Sequence, residues 1–198
     1  MEILYIIFVA FVVIAMIILA NGRQVFESPA RKAGRKAEIN AREWIKDQLN
    51  EEDVLLCNVE IIYDGMRTEL DDVIVNSYGV FIVEVKYYSG ELEGDENDRE
   101  WTKYHMSSGY NVYVKSVRNP IIQLKREIHI LANYLREQGF NVWVKGYVLL
   151  TEDNSPVVSE YILDSVEELG RLVHTTDRKR LNRSTVEGIR KALISYGD

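Results

Sequence analysis

Two acidic positions and a lysine in the middle of the chain have the residue types and the spacing of a metal-assisted hydrolytic site. Glu84 and Lys86 lie in the segment Val80–Lys86 and point to the same strand face as Val80 and Ile82. A strand that buries this face would normally carry Val or Ile at both positions. Carboxylate oxygens are the ligands that Mg²⁺ prefers, and a neighbouring ammonium can stabilise charge that builds on a phosphate. The pattern is therefore compatible with hydrolysis of a phosphodiester bond.

The preceding strand offers either Asp71 or Asp72 as the second carboxylate. These residues are adjacent, so they point to opposite faces of the strand. A two-residue turn at Tyr78–Gly79 would pair Asp71 with Lys86 and bring Asp71 to the face of Glu84. A three-residue turn would shift the register and bring Asp72 there instead. Hairpin geometry by itself leaves both aspartates open.

The same charges could also form a structural salt-bridge cluster, which on spacing alone is the more common outcome. Other catalytic patterns are absent from the sequence, including a Gly-rich phosphate loop, G-x-S-x-G and H-E-x-x-H. The three histidines, His105, His129 and His174, have no metal-ligand spacing.

Hydrophobic periodicity predicts the elements that would position these residues. A first amphipathic helix is expected over residues 36–49, with an apolar stripe of Ala41, Ile45 and Leu49. Glu38 lies on the same stripe, so we expect this helix to carry a carboxylate toward the sheet. The alternative is a rotated helix in which Glu38 pairs with Arg35 or Arg42 at the surface.

The rest of the folded part predicts a mixed α/β sheet flanked by helices. Three consecutive strands are expected, followed by a polar loop, two shorter strands, a long helix, a buried strand and two closing helices. The expected ranges are 54–63, 69–76 and 80–88 for the strands, 89–99 for the loop, 101–104 and 110–115 for the shorter strands, 120–138 for the helix and 142–150 for the buried strand. The closing helices follow residues 164 and 184.

The first residues predict a membrane anchor. The run from Ile3 to Ala20 contains no charged side chain and would reach about 27 Å as a helix, close to the thickness of a bilayer core. We therefore expect a transmembrane helix within residues 1–22, a basic linker over residues 23–33 and one folded domain over residues 34–198. A cleaved secretory signal is the alternative, but it would place cations before the apolar run.

Composition limits the classes of function. The chain has 198 residues, with 24 Lys or Arg against 31 Asp or Glu and a formal net charge of −7. This excludes a protein that coats nucleic acid through bulk charge, but not one with a local basic groove. A basic cluster of Arg178, Lys179, Arg180 and Arg183 fits a solvated turn better than a phosphate contact. The lone Cys57 excludes an internal disulfide and a cysteine-based zinc site.

Four motifs in order resemble the nuclease-related domain, or NERD, family. Thr68–Val75 followed by Gly79–Lys86 resembles the family's central strands, and Gly34-x-x-Ala37-Glu38 is similar to its first-helix G-x-x-G-E motif. Trp101 and the segment Asn119–Gln123 match its later W and N-P-x-x-Q elements. The resemblance covers residues 34–138. Ala37 replaces a glycine of the pattern, and Asp72 stands where the family often has histidine.

This resemblance implies a fold, a site and an activity. NERD is similar to the PD-(D/E)xK restriction-endonuclease-like superfamily, which has a mixed central sheet flanked by helices. It implies Asp71 and Glu84 as metal ligands for Mg²⁺ or Mn²⁺, Lys86 as the catalytic lysine, and Glu38 and Gln123 as further site residues. Together with the apolar run over residues 3–20, the resemblance predicts a membrane-anchored, metal-dependent nuclease, with DNA favoured over RNA as its partner. The alternative is a non-catalytic, membrane-tethered module that binds nucleic acid or protein.

The charge distribution around the apolar run predicts a topology that can be measured. Cations follow the run, at Arg23, Arg31, Lys32, Arg35 and Lys36, so the positive-inside rule places the C-terminal domain in the cytoplasm. A reporter fused to the C-terminus should therefore behave as cytoplasmic. Glycosylation of that reporter, or activity that requires its disulfides, would contradict the prediction.

Overall fold

The structure is a computed structural model that describes residues 29–106 and 112–194. The chain divides into two compact units, residues 1–33 and residues 34–198. The predicted membrane anchor lies outside the described residues. None of the helices within the two described ranges combines the length and the apolar character that spanning a bilayer requires.

The elements alternate along the described chain as a mixed α/β fold. They are α1 (Pro29–Asp47), β1 (Val54–Tyr63), β2 (Met66–Asn76), β3 (Gly79–Lys86), β4 (Glu91–Glu93), β5 (Glu100–Met106), β6 (Val112–Arg118), α2 (Pro120–Glu137), β7 (Val144–Leu150), α3 (Val166–Val173) and α4 (Arg183–Ile194). Helix α1 begins at Pro29, well before the predicted residue 36, so the end of the predicted linker is helical. Proline has no N–H to lose in the first turn, where it is readily accommodated.

A four-stranded mixed sheet forms the centre, in the order β1-β2-β3-β7. Strands β1, β2 and β3 are antiparallel, and β7 pairs with β3 in parallel. Strand β3 has a nearly continuous apolar sequence because its side chains are buried on both faces of the sheet. The predicted mixed sheet flanked by helices is confirmed. A second, three-stranded antiparallel sheet has the order β4-β5-β6.

Helices cover both faces of the central sheet. One core contains apolar residues of α2 and α4, including Ile121, Leu124, Leu131, Ile189 and Leu193. The opposite core contains residues of α1 and α3, including Ala41, Ile45, Leu169 and Val173. Ala41 and Ile45 are fully buried, so the predicted apolar stripe of the first helix faces the sheet as expected.

The turn between β2 and β3 lies one residue earlier than predicted. Asn76 pairs with Gly79, so the two turn residues are Ser77 and Tyr78. The Asn76 side chain explains this choice, because its carbonyl oxygen accepts hydrogen bonds from the backbone N–H groups of Tyr78 and Gly79. A side-chain bond of this kind stabilises a turn locally.

The predicted pairing of Asp71 with Lys86 is therefore wrong. The observed register pairs Val73 with Ile82 and extends to Asp72 with Val83. Each pairing is shifted by two residues from the prediction. Because side chains alternate with a period of two, this shift leaves every side chain on its predicted face.

Asp72 is buried on the α1 side of the sheet in a salt bridge with Arg42. Its side chain is 1% exposed, and Arg42 Nε donates to its Oδ1 atom at 2.9 Å. Arg42 also donates to Asn58 Oδ1 at 2.9 Å. Burial raises the pKa of Asp72, although a hydrogen bond from Cys57 and the charge of Arg42 oppose that rise. Asp72 thus links the first helix to the sheet.

Breaking this pair from the arginine side should destabilise the fold. Arg42→Met leaves the Asp72 carboxylate buried without its cation, which should cost about 3 kcal/mol of unfolding free energy. The double variant Arg42→Met/Asp72→Leu should recover most of that loss, because an apolar pair needs no compensating charge. Urea denaturation of the full chain measures both effects.

Arg67→Met is the matched control. Arg67 pairs with Glu60 at the surface, where its side chain is 67% exposed. A solvated pair contributes little, so the control should change the unfolding free energy far less than Arg42→Met does. Equal losses for Arg42→Met and Arg67→Met would show that the buried pair has no special role.

Candidate metal centre

The end of β3 carries a buried carboxylate that contacts a lysine. Glu84 is fully buried, and the Lys86 ammonium lies against its Oε1 atom. Lys86 Nζ is also 4.0 Å from Asp71 Oδ2. The structure therefore brings Asp71, Glu84 and Lys86 together, as the sequence motifs predicted. Buried charges of opposite sign compensate each other's desolvation.

The backbone of β3 helps to hold Asp71 in place. The Val85 N–H donates to Asp71 Oδ2 at 3.1 Å. This bond lies just beyond the last paired residues of β2 and β3, Asp72 and Val83. The Asp71 carboxylate thus accepts a hydrogen bond from a backbone N–H of β3 where the strand pairing ends. It is therefore fixed by the same strand that carries Glu84 and Lys86.

Helix α2 adds Gln123 and Glu127 to the centre. Gln123 Nε2 donates to Glu84 Oε1 at 2.6 Å and to Glu127 Oε1 at 2.9 Å. The two residues are four apart, which places them on one face of the helix. We refer to Asp71, Glu84, Lys86, Gln123 and Glu127 together as the buried cluster.

The start of α2 is fixed by Asn119. Its side-chain oxygen accepts from the Ile121 N–H at 2.9 Å, which caps the helix, and Pro120 occupies the first helical position. The Asn119 amide also donates to the carbonyl of Asp98 at 2.8 Å. Farther along the helix, a Cβ added to Gly146 of β7 would lie 2.6 Å from Leu124 Cδ1. The absence of a side chain there lets α2 approach the sheet closely.

Glu127 is a member of the cluster that the sequence prediction missed. It is 2% exposed, and its pKa rises to about 8, first because of burial and then because of the charge of Glu84. Glu127 is therefore the protonated partner at neutral pH. The available signal was an acid four residues after Gln123, beside the apolar stripe of the helix.

Electrostatics at Glu84 and Lys86 are dominated by burial and by each other. Burial raises the pKa of Glu84, and the positive charge of Lys86 opposes that rise. Burial lowers the pKa of Lys86, but the charges of Glu84 and Asp71 outweigh it and leave the pKa raised. Lys86 therefore remains a cation at neutral pH and can stabilise an anion beside the carboxylates.

Glu38 lies at the edge of the buried cluster rather than within it. Its side chain is exposed, so the expectation of a buried carboxylate is wrong. Partial desolvation nevertheless raises its pKa, with Asp71 adding to the rise and Lys86 opposing it. The physical reason is that α1 packs its Ala41 and Ile45 stripe on the other core of the sheet. Glu38 is one turn before Ala41 and extends past that contact.

The basic cluster of residues 178–183 lies far from the buried cluster. Arg178 stacks over the Trp143 ring at 4.0 Å, and Arg180 stacks over the Tyr78 ring at 4.2 Å. Tyr78 precedes β3, whereas Glu84 is near its end, so roughly 20 Å of strand separates them. A cavity of about 1310 Å³ beside Tyr78, Arg180 and Arg183 likewise contains no residue of the buried cluster.

The atoms of the cluster suit a hard divalent cation. Glu84 Oε2 and Glu127 Oε2 are buried and have no hydrogen-bond partner in the described part of the chain. Either a shared proton or a cation would relieve this unfavourable state. Asp71 and Glu84 offer two oxygen ligands, and Mg²⁺ commonly uses one or two carboxylates together with waters. Within the described ranges, no group of three or more His, Cys, Asp or Glu side chains is placed to hold a metal ion, so the fit rests on these two carboxylates with water as the remaining ligands.

Comparison with known families identifies the family of the chain. The family model described as nuclease-related domain, NERD, matches residues 33–151, which is more than half of the chain. The chain belongs to the NERD family. The match begins within α1 and ends after β7, so it includes Glu38 and the whole buried cluster. NERD membership confirms the resemblance of the sequence motifs and indicates a nuclease-related function.

Neither a curated protein nor a solved structure matches this NERD chain.

Replacing Glu127 should change how stability depends on pH. In the unfolded chain this carboxyl releases its proton near its ordinary pKa of 4.5, whereas the folded protein holds it to about pH 8. The folded state binds more protons between these values, so unfolding free energy should fall as pH rises from about 5 to 8. Glu127→Gln should reduce this slope by up to about 1.4 kcal/mol per pH unit. Urea denaturation in EDTA at several pH values measures it.

Glu187→Gln on α4 is the control for that experiment. Glu187 is at the surface, and its hydrogen bond with Arg190 lowers its pKa, so it is ionised in both states throughout this window. The control should leave the slope unchanged. An unchanged slope in Glu127→Gln as well would mean that Glu127 is ionised in the native protein.

Proposed function

We propose that the protein is a membrane-anchored, metal-dependent nuclease that hydrolyses phosphodiester bonds of DNA or RNA. The observation that carries this proposal is the fully buried Glu84 carboxylate, which contacts Lys86 and has one oxygen without a hydrogen-bond donor among the described residues. Burial of such an acid is costly, and buried ionisable groups with a specific charge partner are concentrated at functional sites. NERD membership supports the same class of activity.

Each residue of the site has a distinct proposed role. Asp71 and Glu84 would hold Mg²⁺ or Mn²⁺, and Gln123 orients Glu84 through its 2.6 Å hydrogen bond. When bound, the metal supplies Lewis acidity and lowers the pKa of a coordinated water. Lys86 stays cationic beside both carboxylates and would stabilise negative charge on the scissile phosphate. Glu38, at the exposed edge, would face incoming substrate or water.

The proposed setting is the cytoplasmic face of a membrane. The uncharged run over residues 3–20 and the cations that follow it support a single-pass anchor with the NERD domain in the cytoplasm. The proposed partner is nucleic acid, with DNA favoured over RNA by the family resemblance.

A non-catalytic binding module is the second candidate. The observation that favours it is the ion pair between Glu84 and Lys86, because a buried acid with its own cation is compensated without any metal. Such a module would bind nucleic acid or protein and leave it intact. Turnover therefore distinguishes the two candidates.

The nuclease proposal predicts metal-dependent cleavage that depends on the cluster. The full chain, in detergent, should cleave labelled DNA or RNA with Mg²⁺ or Mn²⁺, and EDTA should stop the reaction. Glu84→Gln, Lys86→Met and Asp71→Asn should each lower the rate by about 100-fold or more, because each removes a charge acting on the reacting phosphate or its metal. Gel analysis of the products measures the rates.

Asp72→Asn is the matched control, because it makes the same substitution at the adjacent residue on the opposite face. Asp72 pairs with Arg42 away from the buried cluster, so this variant should lose stability but keep its rate below its melting temperature. Equal loss of rate in Asp71→Asn and Asp72→Asn would argue against a specific site. No cleavage by the unaltered chain under any of these metals would exclude the nuclease and leave the binding module.

A further inference from the structure

The second sheet carries its glutamates on one face and its lysines on the other. Side chains alternate along β4, β5 and β6, and the strand register aligns them across the sheet. One face carries Glu91, Glu93 and Glu100. The opposite face begins with the buried Leu92 and Trp101. Its outer part, which we call the basic face, consists of Lys103, His105, Tyr113 and Lys115. No acidic residue belongs to that face in the described strands, and residues 107–111, which join β5 to β6, have no charged residue in the sequence.

Two lysines stand directly opposite each other on the basic face. Lys103 pairs with Lys115 in the register of β5 and β6. Lys103 Nζ donates to Ser89 Oγ at 3.1 Å, and no acid pairs with either lysine among the described residues. Burial lowers the pKa of Lys103, and the charge of Lys115 lowers it further. Like charges opposite each other across strands are unfavourable, and an anion between them would relieve the repulsion.

The basic face is joined to the buried cluster by a short piece of chain. Ser89, which accepts the bond from Lys103, is three residues after Lys86. Between them, the Tyr88 hydroxyl donates to the carbonyl of Arg118 at the end of β6, at 3.0 Å. The charges of Lys86 and Glu84 both affect the pKa of Tyr88, which burial raises. Residues 86–89 therefore connect the catalytic candidates to the lysine pair.

The outer end of the basic face presents exposed rings. His105 and Tyr113 are opposite each other, next to the lysine pair, and Tyr113 is 59% exposed. Rings beside cations suit an unpaired chain of nucleotides, because its bases can stack on the rings while its phosphates contact the lysines. In a duplex the bases are already stacked on each other and are not available to a side chain.

We propose that the basic face of the β4–β6 sheet binds a single-stranded nucleic acid, with Lys103 and Lys115 on its phosphates and Tyr113 on a base. This inference rests on the proposed function and names the substrate class of the same site. The strand would pass from the basic face across residues 86–89 to the buried cluster. The acidic charge of the protein as a whole does not oppose this, because the glutamates of this sheet lie on its other face.

Binding in EDTA tests the proposal without requiring cleavage. The full chain in detergent should bind a fluorescent single strand of about 20 nucleotides more tightly than a duplex of equal length. Lys103→Gln/Lys115→Gln should weaken binding about tenfold and reduce the salt dependence of log K by about 1.4, since each phosphate contact on a single strand contributes about 0.7. Tyr113→Ala should weaken binding to the single strand about tenfold without changing the salt dependence.

Lys46→Gln/Lys191→Gln is the matched control. It removes the same charge from exposed positions on α1 and α4, where the side chains are 52% and 71% exposed. It should bind like the unaltered chain. Equal weakening in both double variants, tighter binding to duplex, or no binding of either probe by the unaltered chain would overturn the proposal.

Two further results separate this inference from the nuclease proposal. Binding that depends on Lys103 and Lys115, without cleavage in Mg²⁺ or Mn²⁺, would sustain the inference and exclude the nuclease. Cleavage that depends on Glu84, with binding unaffected by the lysine substitutions, would support the nuclease and overturn the inference. The same full-chain variants can be tested for binding to vesicles that contain phosphatidylserine. If the two lysines are needed for binding to these vesicles but not for binding to nucleic acid, the basic face binds a membrane surface and the proposal is wrong.

Discussion

The burial of the Glu84 carboxylate is the constraint on which the rest of this site depends. A carboxylate with no exposed surface must obtain from the protein what water would have supplied. Lys86 supplies the charge and Gln123 supplies a hydrogen-bond donor, while the second carboxylate oxygen has no partner among the described residues. These partners come from the strand itself and from one helix. The position of α2 against the sheet is therefore as important to the site as the strand that carries the acid.

The adjacent residues Asp71 and Asp72 show how one strand serves two separate purposes. Asp71 lies with Lys86 at the buried cluster, whereas Asp72 is buried on the other face with Arg42. The first arrangement leaves a carboxylate partly accessible to a ligand, and the second uses one to fasten a helix. Two neighbouring residues of the chain are therefore held by different parts of the structure.

Charge is distributed unevenly over this acidic protein. The cations of residues 178–183 include two arginines that are stacked on aromatic rings, far from the buried cluster along β3. Lys103 and Lys115 are nearer in the chain to the cluster and have no acid beside them in the described structure. A polyanion would therefore be attracted to one face of the second sheet and not to the protein as a whole. Net charge is a poor guide here because glutamates and lysines occupy opposite faces.

The sequence by itself determined the mixed sheet, the order of its main elements and the NERD family, and its motifs selected Asp71, Glu84, Lys86 and Gln123, which the structure brings together. It could do so because alternation along a strand assigns faces locally, and because a motif is a property of residue order. Even the incorrect turn at residues 78 and 79 left the faces correct, since the register moved by two residues.

Only the tertiary structure decided which side chains from different elements contact each other. Glu127 joins Glu84 because α2 packs closely over Gly146, and no pattern within the helix states which strand will lie beneath it. Glu38 is exposed because α1 packs on the opposite core, a choice made by the sheet and not by the helix's own periodicity. Lys103 meets Lys115 through the register of β5 and β6. Each of these contacts joins residues that are distant in sequence, so each depends on how complete elements pack rather than on the local preferences of any one segment.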